Sequence, residues 1–229
     1  ILDGDGFSGA LSAFATRNPI YQGIGGTGFA FDGTAGNLQW SVGYLAGDAN
    51  SPEPGNGLFN GNYGAIAQIG YNPQNFGVAL TYIHGYQTLD VGSGTRLANF
   101  QTLTEELFGE AVPTINNSYG LQFNWKLADN FVLGGWGGYT KSKTLSSLDG
   151  QLNRGSLDVW NWAVTLAFPD VWKEGSMGGI VVGMQPWVSR SSIVLPDDLR
   201  NTDNDTSFHI ETFLQYPIND NMSITPGLI

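Results

Sequence analysis

The chain has 229 residues, with 20 acidic and 9 basic side chains, 33 glycines, no cysteine and a formal net charge of −11. The negative charge argues against a nucleic-acid-binding surface, because phosphates are bound by lysine and arginine, and the lack of cysteine excludes disulfides and cysteine-ligated zinc. Charged residues make up only 13% of the chain, about half their share in soluble domains. No apolar stretch reaches the length of a membrane-spanning helix, but lipid-facing strands alternate and would escape that test.

A glycine-rich segment at residues 23–28 superficially resembles a phosphate-binding loop. A dinucleotide site requires a helix directly after such a loop. Here only Phe29, Ala30 and Phe31 follow, and then a predicted turn. The sequence therefore predicts no nucleotide site.

Period-two alternation is clear at residues 38–46, where Leu38, Trp40 and Val42 share one side and Gln39 and Ser41 the other. This pattern indicates a strand, since a helical period would scatter it. The same alternation predicts further strands at residues 63–71, 76–82, 119–127, 131–140, 160–168, 180–188, 208–216 and 222–228. We count about ten strands of roughly 9–12 residues, the length at which a tilted strand crosses a bilayer.

The connections between these strands alternate in length. Short ones are predicted at 72–75, 128–130, 169–176 and 217–221, and long ones at 48–61, 87–117, 141–156 and 189–206. This alternation predicts an antiparallel up-and-down β-barrel with short turns at one end and long loops at the other. A helical turn is expected at 104–108, inside a loop that either folds inward and narrows a channel or stays exposed.

The polar sides of the strands consist mostly of Gly, Ser, Thr, Asn and Gln, which suit a water-filled lumen. The candidate pore-lining residues are Gln39, Ser41, Gln68, Thr81, Gln122, Asn124, Lys126, Asn161, Thr165, His209, Glu211 and Gln215. Lys126 and Glu211 test the assignment of faces, because a charge facing lipid is costly. We also expect Gly120→Asp to be tolerated at a luminal position and Leu121→Asp to impair assembly.

Aromatic residues lie near the ends of the apolar sides, as in the interfacial girdles of membrane proteins. The candidates are Tyr63, Tyr71, Tyr82, Tyr119, Trp125, Tyr139, Trp160 and Tyr216. The alternative is that these rings pack the core of a β-sandwich.

Signals for chemistry are weak. His84 and His209 fall on different predicted strands, and the acidic segments 3–6 and 203–205 do not complete a calcium loop. No catalytic residue, metal site or cofactor is predicted, and the chain is not expected to be an enzyme.

Several stretches resemble the cyanobacterial outer-membrane porins of the carbohydrate-selective (OprB-like) family, also labelled iron-uptake porins. They lie at 17–21, 57–64, 117–123, 131–140, 160–170 and 175–184, and the similarity runs from about residue 8 to 229. The resemblance implies an outer-membrane homotrimer in contact with lipid. It also implies passive diffusion of small hydrophilic solutes and inorganic ions, including iron.

The resemblance further implies a larger protein, with a signal peptide, a wall-binding domain, a coiled coil and a barrel of about 16 strands. Residues 1–229 are then expected to form a single but partial barrel domain, without the N-terminal strands, the wall-binding domain and the last strands. Peptidoglycan would be bound only through that absent domain. Ten strands alone would leave two open edges, which lipid does not tolerate.

Two other classes stay open. One is a soluble all-β sugar- or calcium-binding module of the lectin or adhesin type. The other is a β-rich surface hydrolase, which would need convergent titratable residues that the strands do not supply. The direction of the apolar side chains distinguishes a membrane barrel from a β-sandwich. A sandwich would bury these side chains between its two sheets.

Overall fold

The computed structural model describes residues 9–54, 56–86, 90–196, 199–204 and 207–229. Its strands are β1 (Thr27–Ala35), β2 (Leu38–Ala46), β3 (Tyr63–Tyr71), β4 (Phe76–Tyr86), β5 (Thr114–Ala128), β6 (Phe131–Thr144), β7 (Ser156–Pro169), β8 (Met177–Ser191), β9 (His209–Asn219), β10 (Met222–Ile224) and β11 (Gly227–Leu228). Its helices are α1 (Ala13–Thr16) and α2 (Phe100–Phe108), with 3-10 turns at Pro19–Tyr21 and Leu148–Gly150.

All these strands belong to one antiparallel sheet in which each strand pairs with the next along the chain, from β1 to β10. The short β11 also pairs with β9, so β10 and β11 continue each other along one edge. The predicted fold class, an all-β antiparallel up-and-down sheet, is confirmed, and the sheet is consistent with part of a β-barrel.

Strand β1 was not predicted from the sequence, in which only a turn was expected after Phe31. The structure pairs β1 with β2 residue by residue, from Thr27 opposite Ala46 to Ala35 opposite Leu38. Small residues interrupt the alternation in β1, so the strand is set by its neighbour rather than by its own pattern. A two-residue turn joins the strands, and Gly36 adopts the left-handed conformation that such hairpins require.

The alternation of loop lengths is confirmed. The short connections are 36–37, 72–75, 129–130, 170–176 and 220–221, and the long ones are 47–62, 87–113, 145–155 and 192–208. Consecutive antiparallel strands place all the long connections at the same end of the sheet. We call this the long-loop end, and the other the short-turn end.

At the long-loop end, three long loops pack together in one apolar cluster. The cluster contains Leu97, Phe100, Leu103, Val112, Leu148, Leu152, Leu157, Val159, Val188, Ile193 and Leu195. Helix α2 supplies Phe100 and Leu103 and ends at Gly109, whose left-handed conformation is common after a helix. The strand residues in the cluster, Leu157, Val159 and Val188, are buried and belong to the polar side of the sheet. The long loop therefore folds inward over that side, which was one of the two alternatives.

The two sides of the sheet differ as the alternation predicts. Ile69, Leu80 and Leu121 lie side by side across three strands and are 53%, 58% and 48% exposed. Next to Ile69 and Leu80 in their strands, Gln68 and Thr81 point to the opposite side and are buried. We call the apolar side the outward face and the polar side the inner face. The large apolar side chains of these rows thus do not meet in a dry layer between sheets.

Within the described ranges, neither helix has the length and apolar character needed to cross a membrane.

Candidate functional site

Part of the inner face is covered by residues 9–25, which precede β1 and are called here the N-terminal segment. Its helix α1 begins at Ser12, whose hydroxyl accepts a hydrogen bond from the Ala15 N–H. Phe14 and Ala15 are almost fully buried against Trp136 and other residues of the sheet. The segment therefore fills space that the alternation alone would assign to open solvent.

A polar network fixes the middle of the segment around the hydroxyl of Tyr21. This oxygen lies 2.8 Å from Thr81 Oγ1 and accepts hydrogen bonds from the side-chain amides of Gln68 at 3.0 Å and Gln122 at 2.9 Å. The three wall residues come from β3, β4 and β5, and each is at most 5% exposed. Buried polar groups need such partners, because an unpaired one costs about 1–3 kcal/mol.

A second anchor ties the start of the segment to β9. The Glu211 carboxylate is fully buried and accepts hydrogen bonds from the Leu11 N–H at 2.6 Å and the Ser12 hydroxyl at 2.5 Å. His209 Nε2 lies 3.2 Å from the same carboxylate, and its Nδ1 lies 3.0 Å from the Gln185 amide. A buried carboxylate with several donors holds the backbone that supplies them.

Ser12, His209 and Glu211 carry the side chains of a hydrolytic triad but do not have its geometry. Ser12 Oγ and Glu211 Oε2 both lie beside Nε2 of the histidine, at 3.3 Å and 3.2 Å. A triad needs the nucleophile and the carboxylate on different ring nitrogens, so that one orients the imidazole while the other takes the proton. The arrangement is therefore that of an anchor.

Two glycines in the wall make room for the segment. A Cβ atom on Gly120 would lie 2.5 Å from Ile20 Cδ1 and 2.6 Å from Gln122 Nε2. A Cβ atom on Gly138 would overlap the Asn161 amide and lie 2.8 Å from Asn18 Oδ1. Position 120 is therefore not open lumen, as was expected from the sequence, because it contacts the N-terminal segment. The tolerance of Gly120→Asp stays a prediction.

Strand register places all twelve candidate pore-lining residues on the inner face. Seven are buried: Gln68, Thr81, Gln122, Asn161, Thr165, His209 and Glu211. Gln39, Ser41, Asn124 and Gln215 are half-buried, and Lys126 is exposed. Lys126 and Glu211, the two charged candidates, thus both avoid the outward face. Contact of these residues with a solute stays a prediction.

Sequence reasoning missed the contribution of Ser12, Asn18 and Tyr21. Asn18 is fully buried, and its side chain accepts a hydrogen bond from the Ile20 N–H and donates one to the Gly137 carbonyl. The available signal was Asn18 directly before Pro19, since an Asn cap followed by Pro marks the start of a helical turn.

At the short-turn end, Lys126 forms an ion pair of 2.8 Å with Asp129 in the β5–β6 turn. The hydrogen bond from the lysine, and then its charge, lowers the pKa of the Asp129 carboxyl from its ordinary value. Both side chains are exposed to solvent. The charge of Lys126 is therefore paired with Asp129 in water and not in an apolar environment.

Aromatic rings form two belts on the outward face. Nearer the long-loop end, Tyr82, Tyr119, Tyr139 and Trp160 follow one another across four strands, with ring centroids 4.6–6.2 Å apart. Nearer the short-turn end lie the pairs Phe76–Trp125 and Phe131–Phe168, and Lys173 over the Tyr216 ring. Tyr63 and Tyr71 also lie on the outward face. The eight candidates thus all lie on the outward face, and their position at a membrane interface stays a prediction.

Among the described residues, no group of three or more His, Asp or Glu side chains is placed to hold a metal ion. His84 lies on the outward face beside Asn117, far along the sheet from His209 on β9. The acidic segment 3–6 and Asp205, considered as calcium ligands, lie outside the described residues.

Comparison with known proteins agrees with the fold. The model of the carbohydrate-selective porin, OprB family, matches residues 6–229. An uncharacterized protein of Synechocystis sp. is 36% identical over 237 residues, which cover 96% of this chain and 41% of the relative. An uncharacterized protein of Nostoc sp. is 33% identical over 239 residues, which cover 98% of this chain and 39% of the relative.

No solved structure matches the chain. The chain spans about two fifths of the length of the two curated relatives. On the match over nearly all its residues, the chain belongs to the carbohydrate-selective porin (OprB) family.

Proposed function

We propose that the protein forms an outer-membrane channel through which small hydrophilic solutes, carbohydrates among them, and inorganic ions diffuse passively. One observation carries the proposal: a single sheet has an exposed apolar face bordered by two aromatic belts, and a polar face on its other side. The apolar face would contact lipid and the polar face would contact water in the lumen, since lipid-facing and lumen-facing residues alternate in membrane barrels.

The apolar rows oppose the alternative of a soluble sugar- or calcium-binding module. Such a module would bury Leu80, Leu121 and Trp160, whereas these side chains are 58%, 48% and 45% exposed. Contiguous apolar surface of this kind marks contact with lipid or with another protein. The porin function places lipid there and needs no second sheet.

Within this channel, the N-terminal segment and α2 narrow the lumen. The segment is fixed by Tyr21 and by Glu211, and α2 packs on Leu157, Val159 and Val188 of the wall. The solute path then runs past the parts of the inner face that stay accessible, including Gln39, Ser41, Asn124 and Gln215, together with Lys126.

Neutral polar groups sieve solutes by size, and a few charges bias selection by sign. The net charge of −11 favours cations near the channel mouth. Because of this negative charge, the proposal includes cations, iron among them. They would pass by diffusion and would not be bound by protein ligands.

The rest of the full-length protein is proposed to complete the barrel. Residues 1–229 would then be a partial barrel domain within a barrel of about 16 strands, with strands elsewhere in the protein pairing at the edges of β1 and of β10–β11. A homotrimer in the outer membrane, with peptidoglycan bound only through a separate wall-binding domain, belongs to the same proposal.

Conductance of the full-length protein in planar lipid bilayers tests this function. We expect discrete, ohmic channels, cation-selective reversal potentials in a salt gradient, and sugar-dependent swelling of liposomes that contain the protein. A protein that inserts into bilayers without conducting ions or sugars would contradict the proposal.

A further inference from the structure

Basic side chains of β6 and β8 gather on the outward face at the long-loop end, on either side of Asp158 in β7. Lys141 lies opposite Asp158 in the sheet, and Asp158 lies opposite Arg190. Lys143 follows Lys141 on the same side of β6. We call Lys141, Lys143 and Arg190 the basic cluster. It holds three of the nine basic residues of a chain whose net charge is −11.

One carboxylate only partly neutralises the basic cluster. Asp158 Oδ1 lies 3.8 Å from Lys141 Nζ and accepts a hydrogen bond from the Tyr139 hydroxyl at 3.0 Å. Lys143 and Arg190 are exposed, and neither forms an ion pair within the described part of the chain. The patch therefore has excess positive charge directed away from the inner face.

An apolar groove of about 720 Å³ lies on the outward face, on the short-turn side of the basic cluster. Its lining includes Trp40, Ile69, Leu80, Leu121, Tyr139 and Trp160. Gly137 leaves one part of it open, since a Cβ atom there would meet nothing within 4 Å. The accessible surface of the groove is mainly apolar, which suits a flexible hydrocarbon chain.

The groove and the basic cluster adjoin through Tyr139 and Trp160, whose ring centroids are 4.6 Å apart. Lys141 is two residues beyond Tyr139 on the same side of β6, a rise of about 7 Å along the strand. A charged side chain directed into hydrocarbon is costly, so the basic cluster marks the edge of the apolar band. The groove can thus hold the hydrocarbon chain of a lipid while the adjoining basic cluster contacts its anionic headgroup.

We propose that the groove and the basic cluster form a binding site for a phosphate-bearing membrane lipid. Lys141, Lys143 and Arg190 bind the phosphate, and the groove holds an acyl chain. The cluster provides the charge complementarity, because lysine and arginine are the usual partners of phosphate oxygens. The inference rests on the proposed function for the position of the bilayer, in which the long-loop end faces the outer leaflet.

The test is calorimetric titration of the detergent-solubilised full-length protein with three probes: dioctanoyl phosphatidic acid, dioctanoyl phosphatidylcholine and inorganic phosphate. We expect phosphatidic acid to bind at least about tenfold more tightly than phosphatidylcholine, since basic side chains near the membrane surface attract an anionic headgroup. The triple variant Lys141→Gln/Lys143→Gln/Arg190→Gln removes this preference. The control Arg96→Gln/Lys173→Gln, which lowers the charge elsewhere, retains it.

A second variant tests the groove. Gly137→Phe fills the open position and weakens binding of both lipids. Equal affinity for the two lipids, or an unchanged preference in the triple variant, would overturn the inference. Inorganic phosphate that binds as tightly as phosphatidic acid would show a site for a free anion. A Gly137→Phe variant that changes subunit association and not lipid binding would show that a second copy of the chain occupies the groove.

Bilayer conductance separates the two proposals. Equal affinity of the wild-type protein for the two lipids, together with intact channels, overturns only the lipid site, whereas lack of conductance in the wild-type protein overturns the channel.

Discussion

The Ser12 hydroxyl donates a hydrogen bond of 2.5 Å to the Glu211 carboxylate, although the two residues are 199 positions apart in the chain. This bond joins the N-terminal segment to the far part of the sheet. With the network around Tyr21, it makes the segment part of the inner wall. The predictions below follow from these anchors and from the two faces of the sheet.

Replacing Glu211 with Ala releases the start of the N-terminal segment. The N–H groups of Leu11 and Ser12 and the Ser12 hydroxyl lose their acceptor. We expect a larger single-channel conductance of the full-length protein and faster tryptic cleavage after Arg17. The variant Glu105→Gln, which changes an exposed carboxylate, should leave both unchanged. Unaltered conductance together with faster cleavage would mean that the segment does not narrow the channel.

Tyr21→Phe removes the hydroxyl at which three wall residues meet. The amides of Gln68 and Gln122 each lose one acceptor, so we expect a loss of about 1–3 kcal/mol in stability. The measurement is the temperature at which the detergent-solubilised protein loses its folded mobility in an SDS gel. Tyr71→Phe, on the outward face, is the matched control. Equal shifts in the two variants would contradict the role of the network.

A cysteine pair can lock the segment to the wall. Ile20 Cδ1 lies 2.5 Å from the position of a Cβ atom on Gly120, so the side chain of residue 20 is directed at position 120. We expect cysteines at these two positions to be joined on oxidation. In the Glu211→Ala background, we expect oxidation of Ile20→Cys/Gly120→Cys to restore the wild-type conductance and reduction to raise it again. Cysteines at Ile20 and Gly137, on opposite faces, should not cross-link. A conductance independent of the redox state in the cross-linked variant would contradict the account.

Adjacent residues of β2 test the assignment of faces. Ser41 lies on the inner face opposite Asp32, whereas Val42 lies on the outward face and is 44% exposed. A lysine directed into the bilayer centre costs about 2–4 kcal/mol. We therefore expect Ser41→Lys to assemble normally and Val42→Lys to reduce the fraction of heat-modifiable protein in the membrane. Equal assembly of the two variants would remove the basis for the lipid-facing side.

Much of the sheet could be predicted because alternation is a local property. Leu38, Trp40 and Val42 reveal their common side without knowledge of any partner, and the lengths of the connections reveal how the ends alternate. Strand β1 was missed because Gly28, Asp32 and Gly33 break its pattern, and its position depends on pairing with β2.

The covering of the inner face could not be predicted in the same way. The contacts of Leu11 and Ser12 with Glu211, and of Tyr21 with Gln122, join residues 101 to 200 positions apart. No local pattern encodes such a pairing. Alternation therefore identified the side on which Gln122 and Glu211 lie, but not the segment that buries them.

Nitroxide labels on the full-length protein in lipid bilayers test the central claim most directly. Cysteines introduced at Ser41 and Val42 differ by one position and, on this account, lie in different solvents. The account predicts that the label at residue 41 is relaxed mainly by a water-soluble nickel complex and the label at residue 42 mainly by oxygen dissolved in lipid. Labels with the same accessibility to both reagents would contradict it.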